Sequence, residues 1–170
     1  MATHAVEPLV DLFRHNLWAN LCVLDYCERL SDAQLDAKVH GTFGSIRATL
    51  IHLAGAEESY IARLTGEWPA DALREDVAVG IAELRAHLRR SGEGLIHAAR
   101  RVGAIGRIRI AWGGNVWQVP AGIILTQAIN HATEHRAQIM TIITQQGLEP
   151  PEVDGWAYVV ANIPAEEGSG

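Results

Sequence analysis

The sequence predicts an all-α fold, a four-helix bundle with a small β-hairpin before its last long helix. Two patterns and one absence predict it. Long segments repeat apolar residues at intervals of three and four, the spacing that gives a helix one apolar face. A single short stretch alternates apolar with polar or small residues around a Gly-Gly pair, as a hairpin does. No internal repeat or linker divides the 170 residues, nearly half of them apolar. One domain over residues 1–164 can therefore bury roughly 70% of its unfolded surface.

The first helix is expected to begin at Pro8, where a missing N–H costs nothing, and to run through Leu9, Leu12, Phe13, Leu17, Leu21 and Leu24 to about Leu30. Ser31-Asp32-Ala33-Gln34 has the form of a capping box and predicts a short helical turn. Ser45 is the expected N-cap of a second long helix carrying Ile46, Leu50, Leu53, Tyr60, Ile61 and Leu64, with Gly66 ending it. Glu67 to Val79 reads as a long connection. Ile81, Leu84, Leu88, Leu95 and Ile96 mark a third helix, in which Gly92 and Gly94 predict a kink or break, since each costs about 1 kcal/mol relative to alanine inside a helix. The alternating stretch Ile108, Ile110, Trp112, then Trp117 and Val119 beyond Gly113-Gly114, pairs Ile110 with Trp117 and Ile108 with Val119 over the helix ends. Pro120 opens the last long helix, with Ile124, Ala128, Ile139, Ile142 and Ile143, which stops at Gly147. A short terminal helix between Glu152 and Asn162 is expected to bury Trp156 and Tyr158, and residues 165–170 to form a disordered tail.

Charge and composition exclude several functions. A net charge of −6, with fourteen Lys and Arg residues spread along the chain, leaves no basic stripe for a phosphate backbone, so nucleic acid is not an expected partner. Arg85, Arg89 and Arg90 beside His87 read as a solvated helix face. No stretch approaches the ~18 apolar residues of a membrane span, and the start, Met1-Ala2-Thr3-His4, lacks the form of a signal peptide. The expected location is cytoplasmic, with Cys22 and Cys27 as reduced thiols that point in different directions.

Chemistry is most legible in the histidines. His4, His15, His40, His87 and His97 share no spacing and read as capping, surface or packing residues. His131 and His135 lie four apart on a helix, one turn above another, where two imidazoles can reach one metal ion. Gln127, Ala128, Glu134 and Gln138 share or border that face, and a buried polar cluster must be hydrogen-bonded or coordinated. His52 has Ala48, Gly55, Ala56 and Ser59 as helical neighbours, so a hollow for a metal and a ligand can lie beside it. A close helix contact with His52 hydrogen-bonded in the core would give the same pattern. His131-Ala132-Thr133-Glu134-His135 also fits the short H-x-x-E-H signature of inverted zinc proteases. Those enzymes need a further carboxylate ligand on a much larger fold, and only the stretch from Glu149 to Glu167 remains here.

Asn16-Leu17-Trp18-Ala19-Asn20, Gly44-Ser45-Ile46 with Thr49-Leu50-Ile51-His52-Leu53, and Asn130-His131 with Glu134-His135-Arg136-Ala137-Gln138-Ile139 occur in the order found in the DinB-like superfamily, which the chain resembles from about Leu12 to Tyr158. The resemblance implies an up-down-down-up bundle with a long crossover between the second and third helices, and a homodimer. It also implies one zinc or nickel ion on His52, His131 and His135. Some relatives are transferases or isomerases that use mycothiol or bacillithiol, whose thiol such a metal would bind as a thiolate. Glu134 and Gln138 are candidates to orient the imidazoles or hold a water. A surface salt bridge for Glu134 and a hydrogen bond within the bundle for Gln138 are the alternatives. Trp18 and Tyr60 are candidates to line a pocket, or core aromatics. The expected function is metal-dependent transfer of a low-molecular-weight thiol to small electrophiles. The alternatives are a non-catalytic metal- or ligand-binding stress protein and a purely structural bundle.

Overall fold

The computed structural model describes residues 7–77 and 79–165; His4 and the tail from 166 lie outside them. In chain order the elements are α1 (Pro8–Cys27), α2 (Asp32–Leu35), α3 (Ile46–Thr65), α4 (Ile81–Ile105), β1 (Arg107–Trp112), β2 (Asn115–Pro120), α5 (Ala121–Gln145) and α6 (Gly155–Asn162). Local chemistry sets most of their ends. Ser31 and Gln34 form the reciprocal capping box at α2. The Ser45 side chain accepts the Ala48 N–H at the start of α3, and Gly66 closes that helix in the left-handed conformation at φ 81°. α1 stops at Cys27, short of the expected Leu30, because Glu28 to Leu30 tighten into turns bonded to Leu24, Tyr26 and Cys27 carbonyls.

The four long helices pack in the cyclic order α1, α4, α3, α5. α1 and α4 run antiparallel, tied at their ends by Asp25 to Arg85 and Glu7 to Arg100. α3 and α4 run parallel, so the chain must cross the length of the bundle between them, which residues 66–80 do. Gly92 and Gly94 do not break α4. A Cβ on Gly92 would stand 2.5 Å from Leu17 Cδ1 and one on Gly94 2.7 Å from Ile61 Cδ1, so the missing side chains let α1 and α3 approach. Close packing here offsets the propensity cost that predicted a break.

The hairpin has the expected register, Ile110 opposite Trp117 and Ile108 opposite Val119, around Gly113 and Gly114 at positive φ. Ile108, Ile110 and Val119 pack on the apolar cluster at the adjoining end of the bundle. Trp156 is exposed rather than buried, at 80%; α6 is only two turns long and turns Tyr158, not Trp156, toward α1, where it packs edge-on to Trp18.

Apolar side chains form two clusters. One is centred on Leu24, Leu50, Leu53, Leu84, Leu88 and Ile142, the other on Phe13, Leu95, Leu125 and Ala128. Between them in every long helix stands a polar residue: Asn16 and Asn20 on α1, Glu57 on α3, Ser91 on α4 and Arg136 on α5, all buried. Glu57 accepts hydrogen bonds from Asn16 Nδ2 at 2.9 Å, Asn20 Nδ2 at 2.8 Å and Ser91 Oγ at 2.7 Å. Arg136 donates to the side-chain oxygens of both asparagines at 2.6 Å. The two asparagines thus relay a carboxylate to a guanidinium across the bundle. Burial pushes the Glu57 carboxyl up, opposed by its three donors and Arg136, and lowers Arg136 to about 10. The sequence gives no periodic sign of this layer, because polar residues inside an apolar face interrupt the pattern on which core assignment rests.

Candidate metal centre

His52 lies on α3 and His131 and His135 on the antiparallel α5, and the packing of these two helices brings the three rings together. His52 Nε2 and His135 Nε2 each stand 3.1 Å from His131 Nε2. The three rings can offer ligand nitrogens that all lie within 4.8 Å of one another. Two imidazole nitrogens held about 2.0–2.1 Å from one ion are about 2.8–3.4 Å apart for bond angles between square and tetrahedral, a range that contains both 3.1 Å separations.

The outward-facing nitrogens fix what the inward ones can be. His52 Nδ1 is 2.6 Å from Glu75 Oε1, and a carboxylate only accepts, so this nitrogen carries the proton. His135 Nδ1 is 3.0 Å from Gln138 Oε1. That oxygen also accepts the Phe43 N–H at 3.2 Å, while Gln138 Nε2 donates to Glu134 Oε1 at 3.3 Å, which orients the amide. His135 Nδ1 is therefore protonated as well. Both rings in their neutral form turn an Nε2 lone pair toward His131, whose own Nε2 can donate a proton to only one of them. The one Nε2 lone pair that His131 does not serve is left open, and the three imidazoles together could hold a metal ion.

Burial favours the neutral forms of His131 and His135. Desolvation first, then His135 and His52, push His131 down to about 4, and desolvation lowers His135. Phe43 stacks on His52 with centroids 4.1 Å apart and meets His135 edge-on. Tyr60 stands edge-on to His131 at 5.8 Å, and burial raises its phenol. Of the expected neighbours, Tyr60, Gln138 and Glu134 thus stand at the centre, the last reaching it only through Gln138.

Trp18 does not. It packs against His15 and Tyr158, in a cleft of about 880 Å³ between α1, α5 and α6, on the side of α5 that carries Thr133 and Met140. Of the small residues near His52, Gly55 faces Leu73 of the crossover, whose Cβ and carbonyl oxygen would make ordinary van der Waals contact, at 3.7 Å, with an added Cβ. Sequence reasoning missed Glu75 and Phe43 because neither shares a helix with a histidine. The arginine face is not simply solvated either: Arg85 pairs with Asp25 and Glu28, and Arg90 with Glu58 and Asp71.

Fold and site together define a helical bundle with a three-histidine cluster able to hold a metal ion between two antiparallel helices. The chain belongs to the DinB family, whose model matches residues 1–167. It is similar in fold to the crystal structure of a DinB-like protein from Bacillus cereus ATCC 10987, at a TM-score of 0.67 and 16% identity, covering 88% of this chain and 97% of that one. None of the curated proteins compared with the chain matches it.

Proposed function

We propose that the protein holds one divalent metal ion, zinc or nickel, on His52, His131 and His135, and transfers a low-molecular-weight thiol to small electrophiles. One observation carries this reading: two Nε2 lone pairs fixed by Glu75 and Gln138 face a third imidazole that can serve only one of them. A divalent cation at that point would lower the pKa of an incoming thiol so that it reacts as the thiolate. The sulfur–carbon bond forms as the leaving group departs with its electron pair, and the thiol proton passes to solvent. The protein's own residues supply orientation. Glu75 and Gln138 hold two rings in the Nδ1–H tautomer, Phe43 stacks on His52, and Tyr60 packs at right angles to His131.

Elemental analysis of untagged protein tests the site. We expect about one zinc or nickel per chain, lost in His52→Ala and His131→Ala with helicity by circular dichroism unchanged. A metal-free wild type after incubation with either ion overturns it. A panel of thiols, mycothiol and bacillithiol among them, with haloaromatic and epoxide substrates then tests transfer, which His135→Ala should abolish.

The second reading is non-catalytic capture of a metal or small ligand. It draws on the openness of the centre: the His52 side chain keeps 23% of its exposure and Phe43 47%. Bound metal without turnover in the panel selects it. We also propose a homodimer, for which Trp156 and Val160 on α6, beside the large cleft, and Ile163 just beyond that helix offer exposed apolar surface; Trp156→Ser should shift sedimentation to the monomer. Among the described residues no helix is long and apolar enough to cross a membrane. The free thiols of Cys22 and Cys27 suit the reducing cytoplasm we propose as its location.

A further inference from the structure

A second polar cluster, on the α4 side of α3, has no place in the reading so far. Glu58 is 2% exposed, and its carboxylate serves three donors. Oε1 accepts from His87 Nδ1 at 2.6 Å and from Arg90 Nη2 at 2.8 Å, and Oε2 accepts the backbone N–H of Leu73 at 2.9 Å. Arg90 Nη1 donates onward to Asp71 at 2.9 Å. The crossover is thereby pinned at residues 71 and 73, with Leu73 lying against α3 at Gly55. Two residues further on, Glu75 reaches His52 Nδ1.

We propose that the crossover is part of the metal centre: Glu75 is the positioning residue of His52, and the buried Glu58 cluster holds the segment in the register that delivers it. The proposal rests on the metal-centre reading above. Its physical basis is that apolar contact alone can hold a connection against a bundle but fixes no register, since it is nondirectional. A buried carboxylate left without its donors is costly, so the cluster admits one placement of the Leu73 N–H. Glu75 is itself mostly exposed, and free of this restraint its side chain would gain little from His52. Held in place, it fixes the imidazole tautomer and orients the ring, which for a ligating histidine typically changes metal affinity by 10- to 100-fold.

The test has a metal-free and a metal-bound arm. In the metal-free protein, nitrogen-correlated NMR of the imidazoles should show His52 as the Nδ1–H tautomer in the wild type and in Glu75→Gln, which keeps an acceptor. In Glu75→Ala the Nε2–H form should appear. In the second arm, chelator competition should show zinc bound roughly 10- to 100-fold more weakly by Glu75→Ala and several-fold more weakly by Glu58→Gln. The double variant should be no weaker than Glu75→Ala alone, because both losses act through one contact. Fully additive losses, or the same His52 tautomer with and without Glu75, overturn the proposal. Should Glu58→Gln not fold, Asp71→Asn, at an exposed position, loosens the same pin and takes its place in the cycle. A wild type that takes up no zinc sinks the metal-centre reading, while the tautomer comparison still decides whether Glu75 positions His52.

Discussion

Two polar centres border α5, and they differ in how their hydrogen bonds close. In the buried layer of Asn16, Asn20, Glu57, Ser91 and Arg136, carboxylate oxygens meet donors and guanidinium hydrogens meet acceptors. On the neighbouring face of α5, the imidazoles of His52 and His135 both direct Nε2 lone pairs at His131. A closed network holds a fold together and leaves nothing for a ligand to do. Imidazole lone pairs gathered at one point could hold a metal ion. The contrast teaches that burial of polar groups alone does not mark a site; the sign and direction of the groups do.

The largest expected effect breaks the two centres apart. Glu57→Ala leaves Arg136 buried without a counter-charge and the Nδ2 groups of two asparagines without their acceptor, and should lower stability by about 3–5 kcal/mol in denaturant unfolding. His135→Ala should change metal-free stability by no more than about 1 kcal/mol while reducing metal affinity at least a hundredfold. Equal stability losses from the two would erase the distinction.

Acid should act at the histidine centre first. His131 has its folded pKa lowered to about 4 from an ordinary 6.5, so between those values the unfolded chain binds more protons than the native one. Metal-free stability should therefore fall as pH drops from about 6.5 to 4, by on the order of 1–2 kcal/mol once the partial solvent exposure of the ring is discounted. In His131→Asn that dependence should shrink. A wild type whose unfolding free energy is flat over this range would mean that the rings are not held neutral by burial.

Gln138→Ala removes the acceptor of His135 Nδ1, in a part-buried bond, and of the Phe43 N–H, in an exposed one. Metal affinity should drop about tenfold with the melting temperature nearly unchanged. Ser91→Ala, at the closed centre, gives the smallest effect. It deletes one of the three donors to Glu57, should cost about 1–2 kcal/mol of stability, and should leave metal affinity where it was.

Much of the architecture was legible in the chain itself because it is governed by near neighbours. Ser31, Ser45, Gly66 and the Gly113-Gly114 turn act over a few residues, and the spacing of apolar positions needs no knowledge of the partner helix. The pair His131 and His135 is legible for the same reason, since helical geometry alone places them on one face. His52 joins them by resemblance and by its place on another amphipathic helix. Gly92 and Gly94 misled because propensity is a local quantity, whereas their use is contact with Leu17 and Ile61 on other helices. Trp156 misled because an aromatic residue does not say which face of a short helix meets the bundle.

The sequence by itself thus determined where most of the long helices begin, the hairpin register and the histidine pair, since all follow from periodicity and short-range hydrogen bonding. Only the tertiary structure decided that Glu75 meets His52 from 23 residues away, that Gln138 rather than Glu134 touches His135, that Trp18 faces another cleft, and that Asn16 and Asn20 connect Glu57 to Arg136. Such meetings depend on how far each helix is rotated and slid against its neighbours. That is settled by close packing of the whole interior, and no stretch of sequence encodes it alone.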